Sequence, residues 1–444
     1  MITSFITPFM RNAINLAIPS IGTEFGASQS LLNWVVSGYL IATAAFLLPF
    51  GRLADQYGRK KIFLTGMVLL AASSLGCALS PSLIALICFR AIQGVASAMI
   101  FGTAMAILTS VIPPETRGRA LGLNSAATYI GLSCGPVLGG FISSAFTWRA
   151  VFYFNLLIAV VVIVLTVWKL KGEWKGEASR LDSGGIVLCI LAQAFILFGL
   201  TKLTANLLYQ VSFLLGVVLL VVFYLYEKKR RDPLIPIDRI LRNRPFAFAN
   251  LASLINYSAT FALSFVLSLY LQAALRLDAG ISGLVLLVQP VLMAVLSPVT
   301  GALSDRLSPA VLASAGMGLS ALGLLFFVFL TTETPIILII LNLAFIGLGF
   351  SLFATPNTNA IMGSVDKTLY GIASSILGNM RLLGQAISMA IVSLITSVLI
   401  RDQIGSPAYV VQLMASLRTA FIIFTILCIL GVFASLARAK VVKQ

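Results

Sequence analysis

Long apolar runs alternate with short polar connections along the whole chain. Nearly charge-free stretches recur near residues 5–21, 32–50, 62–79, 83–112, 120–145, 150–168, 184–200 and 209–226. After a charged connection at 227–244 they return near 246–271, 280–303, 310–330, 335–362, 369–399 and 417–436. A helix rises about 1.5 Å per residue and crosses a hydrocarbon layer of roughly 30 Å in about twenty residues. The pattern therefore predicts fourteen membrane-spanning helices. A β-barrel would require strict alternation over strands of about ten residues, and these runs show neither that length nor that alternation. The fold class expected is an all-α integral membrane protein.

Composition agrees: hydrophobic residues make up 59%, charged residues 10%, and mean hydropathy is +1.03, which excludes an ordinary soluble domain. The net charge of +16 would suit nucleic acid. The basic residues, however, sit in short connections beside the spans, where topology and anionic lipid account for them, so a lipid bilayer is expected as partner and nucleic acid is not. Placing both termini on the cytoplasmic side puts most of the 30 Lys and Arg there, as expected for a multi-pass protein of the plasma membrane. The first run holds Arg11 and Asn15 and reads as a span, not a cleavable leader. Cys77, Cys88, Cys134, Cys189 and Cys428 fall within spans without metal-like spacing, and the chain has no histidine. No nucleophile beside a base, metal cluster or phosphate loop is legible, so neither a cofactor nor an enzyme is expected.

The connection at 51–61 carries Gly51, Asp55, Gly58, Arg59, Lys60 and Lys61. Its glycines let two helix ends come close, and Asp55 can cap a helix N-terminus or meet an arginine. In the fourth span stand Arg90, Gln93 and Gly94; a guanidinium inside a membrane demands a polar partner or a wet cavity. In the fifth, Gly131, Gly135 and Gly139 share one helix face at four-residue steps, and Pro136 supplies a bend. The stretch from Pro49 to Asp55 returns, weakened, from Pro298 to Asp305, with Gly301 in the place of Gly51. Two halves thus repeat around a pair of spans that has no counterpart.

Those three motifs in that order, the fourteen spans and the run from Pro356 to Gly363 resemble the major facilitator superfamily, and within it the fourteen-helix drug:proton antiporters. The resemblance covers essentially the whole chain. It implies the major facilitator fold: a six-helix bundle at 1–170, two inserted helices at 171–228, a cytoplasmic linker at 229–245, and a second six-helix bundle with a short tail at 246–444. It implies a monomer whose bundles rock around a midplane cavity, with the signature loops as latches. The implied activity is secondary active export of drug-like or organic solutes, coupled to protons or another ion.

One departure redirects that expectation. The antiporters carry an aspartate in the first span where Met10 stands here, and Arg11 is its neighbour, on one face with Thr7 and Asn15. All 14 Asp and Glu fall in loops or at span ends, whereas the deep charges, Arg11, Arg90 and Arg381, are positive. Trading a proton for a cationic solute calls for a buried acid. The expected solute is instead anionic or carboxylate-bearing, with Arg11 as ligand and Arg381 or Arg90 in support. Asn15, Tyr39, Asn124, Tyr129, Asn256, Tyr257, Gln289, Asn357 and Gln385 are further cavity candidates, each equally readable as an interhelical hydrogen bond. The alternatives are a lipid-like substrate and, outside transport, a ligand-binding membrane sensor.

Overall fold

The computed structural model describes residues 1–176, 181–204, 206–230, 232–236, 242–400, 402 and 407–437. Glu177 and Asp238, part of the expected linker and the end of the expected tail lie outside the described residues. The first eight helices are α1 (Ile2–Phe25), α2 (Gln29–Tyr57), α3 (Arg59–Ala78), α4 (Leu83–Val111), α5 (Arg117–Ala145), α6 (Trp148–Lys169), α7 (Ser183–Thr201) and α8 (Leu207–Glu227). Next come α9 (Arg244–Ala274), α10 (Ala279–Arg306), α11 (Pro309–Phe327), α12 (Ile336–Gly363), α13 (Tyr370–Leu399) and α14 (Pro407–Ala437).

Among the described residues, thirteen of these helices are long and apolar enough to cross a membrane. The exception is α1, whose hydropathy is diluted by Ser4, Thr7, Arg11, Asn12 and Asn15. It is nonetheless embedded, packed on α5 and α6. Glycine makes that packing close: a Cβ on Gly131 would lie 2.3 Å from the Phe5 carbonyl oxygen, and one on Gly139 would lie 2.5 Å from Ala13 Cβ. Any side chain there would push α5 off α1. Pro136 sits between those contacts and removes a backbone donor from α5.

Helices α1–α6 pack on one another, and so do α9–α14. The two groups meet where α2 and α4 cross α13 and where α5 crosses α10. A single 3-10 turn precedes both α5 (Pro114–Thr116) and α13 (Lys367–Leu369), so the repeat in sequence is also a repeat in backbone. Helix α7 lies against α2 and α13, and α8 packs on α7, leaving Leu214, Val218 and Leu225 exposed toward the position of lipid.

Helix α9 is not continuous. Its α-helical ladder runs through Arg244–Thr260, resumes over Leu263–Leu269 and closes in a π turn at Tyr270–Ala274. At the interruption the Ala262 N–H donates to Ser388 Oγ of α13 at 3.0 Å. A break in helical backbone at membrane depth is tolerated where neighbouring side chains satisfy it, and it commonly lines a functional cavity.

Candidate functional site

A cavity with about 670 Å³ of empty space lies between the two groups of helices. Its polar wall comprises Thr3, Ser4 and Thr7 of α1, Asn124, Thr128 and Tyr129 of α5, Tyr257 of α9, and Ser374 and Arg381 of α13, with Phe101 and Met105 of α4 closing it. Ser4 Oγ donates to Asn124 Oδ1 at 2.6 Å. Arg381 Nη2 donates to Thr358 Oγ1 at 2.6 Å, while its Nε is buried and finds no acceptor. The guanidinium carbon stands 5.6 Å from the Tyr257 ring centroid. Tyr257 and Tyr129 both meet Phe350 edge to face, at 5.4 and 6.2 Å. Among the described residues no Asp or Glu lines this space. An aromatic body could rest against the tyrosines while a negative group takes the free donor of Arg381.

Arg11 is placed differently. Its Nη1 donates to Gln385 Oε1 at 3.0 Å, and its guanidinium lies 5.8 Å from the ring of Phe261, at the interruption in α9. The pair joins the two halves directly. Asn15, one turn further along α1, is exposed.

Arg90 belongs to another network. It is fully buried, donates through Nε to the Val35 carbonyl at 2.9 Å and through Nη1 to Gln93 Oε1 at 2.5 Å, and stacks 4.4 Å from the Tyr39 ring. Gln93 Nε2 and Asn155 Nδ2 both donate to Ser74 Oγ, and the Tyr39 hydroxyl donates to Ser97 Oγ. These bonds tie α2, α3, α4 and α6 together, and a Cβ on Gly94 would lie 2.4 Å from the Tyr39 carbonyl oxygen. Asn357 binds Ala249 and Ser253 of α9, joining α12 to it. Gln289 is buried where α10 passes Gly347 of α12, and both amide atoms of Asn256 are buried without partners.

The wall also includes residues that the sequence does not single out: Thr3, Ser4, Thr128 and Ser374. Four-residue spacing from Arg11 back through Thr7 to Thr3, and from Asn124 to Thr128, is the one signal that points to them.

One end of the cavity is closed by two similar devices. Asp55, at the end of α2, accepts the N–H groups of Gly371 (2.8 Å) and Ile372 (2.9 Å) at the start of α13. Asp305, at the end of α10, accepts those of Gly118 (2.6 Å) and Arg119 (2.9 Å) at the start of α5. Each carboxylate thus occupies a helix N-terminus of the opposite half, where unpaired donors and the helix dipole favour an anion. Glycines permit the approach: a Cβ on Gly371 would lie 2.6 Å from the Gly51 carbonyl oxygen, and one on Gly118 would lie 2.4 Å from that of Gly301.

The Asp55 device has more parts. Arg59 pairs with Asp55 at 2.7 Å, both nearly fully buried, and donates to Ser110 Oγ and the Lys367 carbonyl. The segment after α6 runs beneath it. Glu173 accepts the N–H groups of Lys60 (2.8 Å) and Lys61 (3.2 Å), capping α3, and the Gly176 N–H donates to the Asp55 carbonyl at 2.6 Å. Gly58, with φ of 117°, holds the turn between α2 and α3 in a conformation that favours glycine.

A sequence profile described as Major Facilitator Superfamily matches residues 1–389 and 249–443. The riboflavin transporter RibZ of Clostridioides difficile (strain 630) is 28% identical over 393 residues, 88% of this chain and 85% of that protein. The multidrug resistance protein Stp of Mycobacterium tuberculosis (strain CDC 1551 / Oshkosh) is 29% identical over 388 residues, 85% of this chain and 71% of that one. The crystal structure of the human organic anion transporter MFSD10 (TETRAN) superposes with a TM-score of 0.68 at 14% identity, covering 98% of each chain, a likeness of fold.

Proposed function

The chain belongs to the major facilitator superfamily, and we propose that it is a secondary active exporter of organic solutes that combine an aromatic body with a negative group. The observation that carries this reading is the cavity itself: Tyr129 and Tyr257 beside Arg381, whose Nε is buried without an acceptor, and no carboxylate on the wall among the described residues. A cationic solute would meet an uncompensated guanidinium there, and a carboxylate would satisfy it. The names of the relatives, a riboflavin transporter and a multidrug resistance protein, are in keeping with aromatic organic cargo.

With both termini cytoplasmic, the Asp55 and Asp305 devices shut the cytoplasmic end. Transport then requires both to release while the bundles, 1–170 and 246–444, rock around the Arg11–Gln385 contact. The test is transport by reconstituted full-length protein with a panel of aromatic acids, amines and neutral analogues, with and without a pH gradient. Acids moving faster than their amine counterparts support the reading, and amines moving faster overturn it.

A further inference from the structure

A pair of carboxyl groups outside the cavity has no role in this scheme. Asp182 caps the start of α7, accepting the Gly185 N–H at 3.1 Å, and Glu227 ends α8 with an exposure of 2%. Asp182 Oδ2 and Glu227 Oε1 converge on one point: a Cβ on Gly185 would lie 2.6 Å from the first and 2.3 Å from the second. Both oxygens are buried, and neither finds a donor. As two anions they would repel in a poorly solvated place, and neither could donate to the other.

We propose that Asp182 and Glu227 bind one proton between them, and that this shared proton pins the linker to the junction of the two halves. A single proton makes one carboxyl a donor to the other and satisfies both oxygens at once. The surroundings offer no substitute. On α7 the titratable neighbour is the Cys189 thiol, one turn beyond Gly185. On α8, the Tyr226 hydroxyl donates to Asp182 Oδ1 at 3.2 Å and itself accepts from Arg230. Among the described residues the ion pairs are Arg59–Asp55 and Arg149–Glu24, so Glu227 has no salt-bridge partner.

The remaining oxygen of Glu227 reaches the linker: Oε2 accepts the Ile235 N–H at 2.9 Å. Leu234 beside it is 2% exposed, within an apolar cluster that includes Leu48 of α2, Ala106 of α4 and Ile372 and Ile376 of α13. Loss of the proton sets two negative charges against each other, turns Glu227 away, frees Ile235 and lifts Leu234 out of that cluster. Docking is therefore favoured by the proton and weakens as pH rises. This inference stands apart from the identity of the solute, since it concerns the linker alone.

The test uses full-length protein in lipid nanodiscs. Amide hydrogen exchange of the segment 232–236, corrected for the intrinsic pH dependence of exchange, is expected to speed up roughly tenfold between neutral and alkaline pH, the effect of one unit of differential proton affinity. Glu227→Gln and Asp182→Asn each supply a permanent donor and are expected to hold exchange slow at both. Infrared spectra at neutral pH should show a protonated-carboxyl carbonyl band that either substitution removes. Exchange in the unsubstituted protein that does not change with pH, or a carbonyl band that survives both substitutions, would overturn the proposal.

Discussion

The two halves are built to one plan and equipped unequally. Each sends an aspartate into the start of a helix in the other, Asp55 to α13 and Asp305 to α5, over a glycine–glycine crossing. Around Asp55 the first half adds a buried arginine and the capping segment with Glu173. Asp305 is only half-buried, and the arginine near it, Arg117, donates instead to Asn359 Oδ1 at 2.9 Å. The deep arginines differ in the opposite sense. Arg90 in the first half is spent on helix–helix bonds, whereas Arg381 in the second keeps a donor for the cavity. The difference assigns tasks: the first half supplies the stronger lock, and the second supplies the charge that meets the solute.

The largest expected effect follows from breaking that lock. Removing one partner of a buried ion pair costs about 3 kcal/mol or more. Asp55→Asn should therefore favour opening of this end by roughly a hundredfold, since 1.4 kcal/mol is a factor of ten. Spin labels at positions 57 and 366, in a background without native cysteines, would report it as a shift to longer distances. Next, Arg381→Gln removes a charge-assisted hydrogen bond to the solute worth about 2 kcal/mol. Affinity for an aromatic acid should fall some thirtyfold, while Arg90→Gln lowers thermal stability instead. Asp305→Asn loses a charged cap worth about 1 kcal/mol. Labels at 115 and 307 should report a several-fold shift, smaller than that at Asp55. Equal shifts from the two aspartates would erase the asymmetry. The smallest effect belongs to Glu173→Gln, about 0.5 kcal/mol from a partly exposed helix cap, visible as faster amide exchange at Lys60 and Lys61.

Much of the fold can be read from the sequence because apolar runs of spanning length encode it directly, and Asp55 and Asp305 stand out because a repeat marks them. The cavity is harder to read. Thr7 donates to the Thr3 carbonyl, and Thr128 to that of Asn124, so these hydroxyls look like ordinary helix residues until the neighbouring helices are in place. Arg11 stands out as a deep charge, yet its partner Gln385 is 374 positions away, beyond any periodicity. The role of Glu173 is hidden for a different reason: a lone acid after a span looks like solvated loop, and only the close passage of that segment under Gly58 makes it a cap. Helix α1 shows the converse, since polar residues that weaken it as a span are the ones that face the interior.

Calorimetric titration of the full-length protein with an aromatic carboxylate and with the amine of the same ring system, repeated for Arg381→Gln, tests the assignment of tasks most directly. The account predicts that the acid binds the unsubstituted protein at least tenfold more tightly than the amine, and that Arg381→Gln abolishes the difference. An amine bound as tightly as the acid, or a preference for the acid that survives without Arg381, would contradict it.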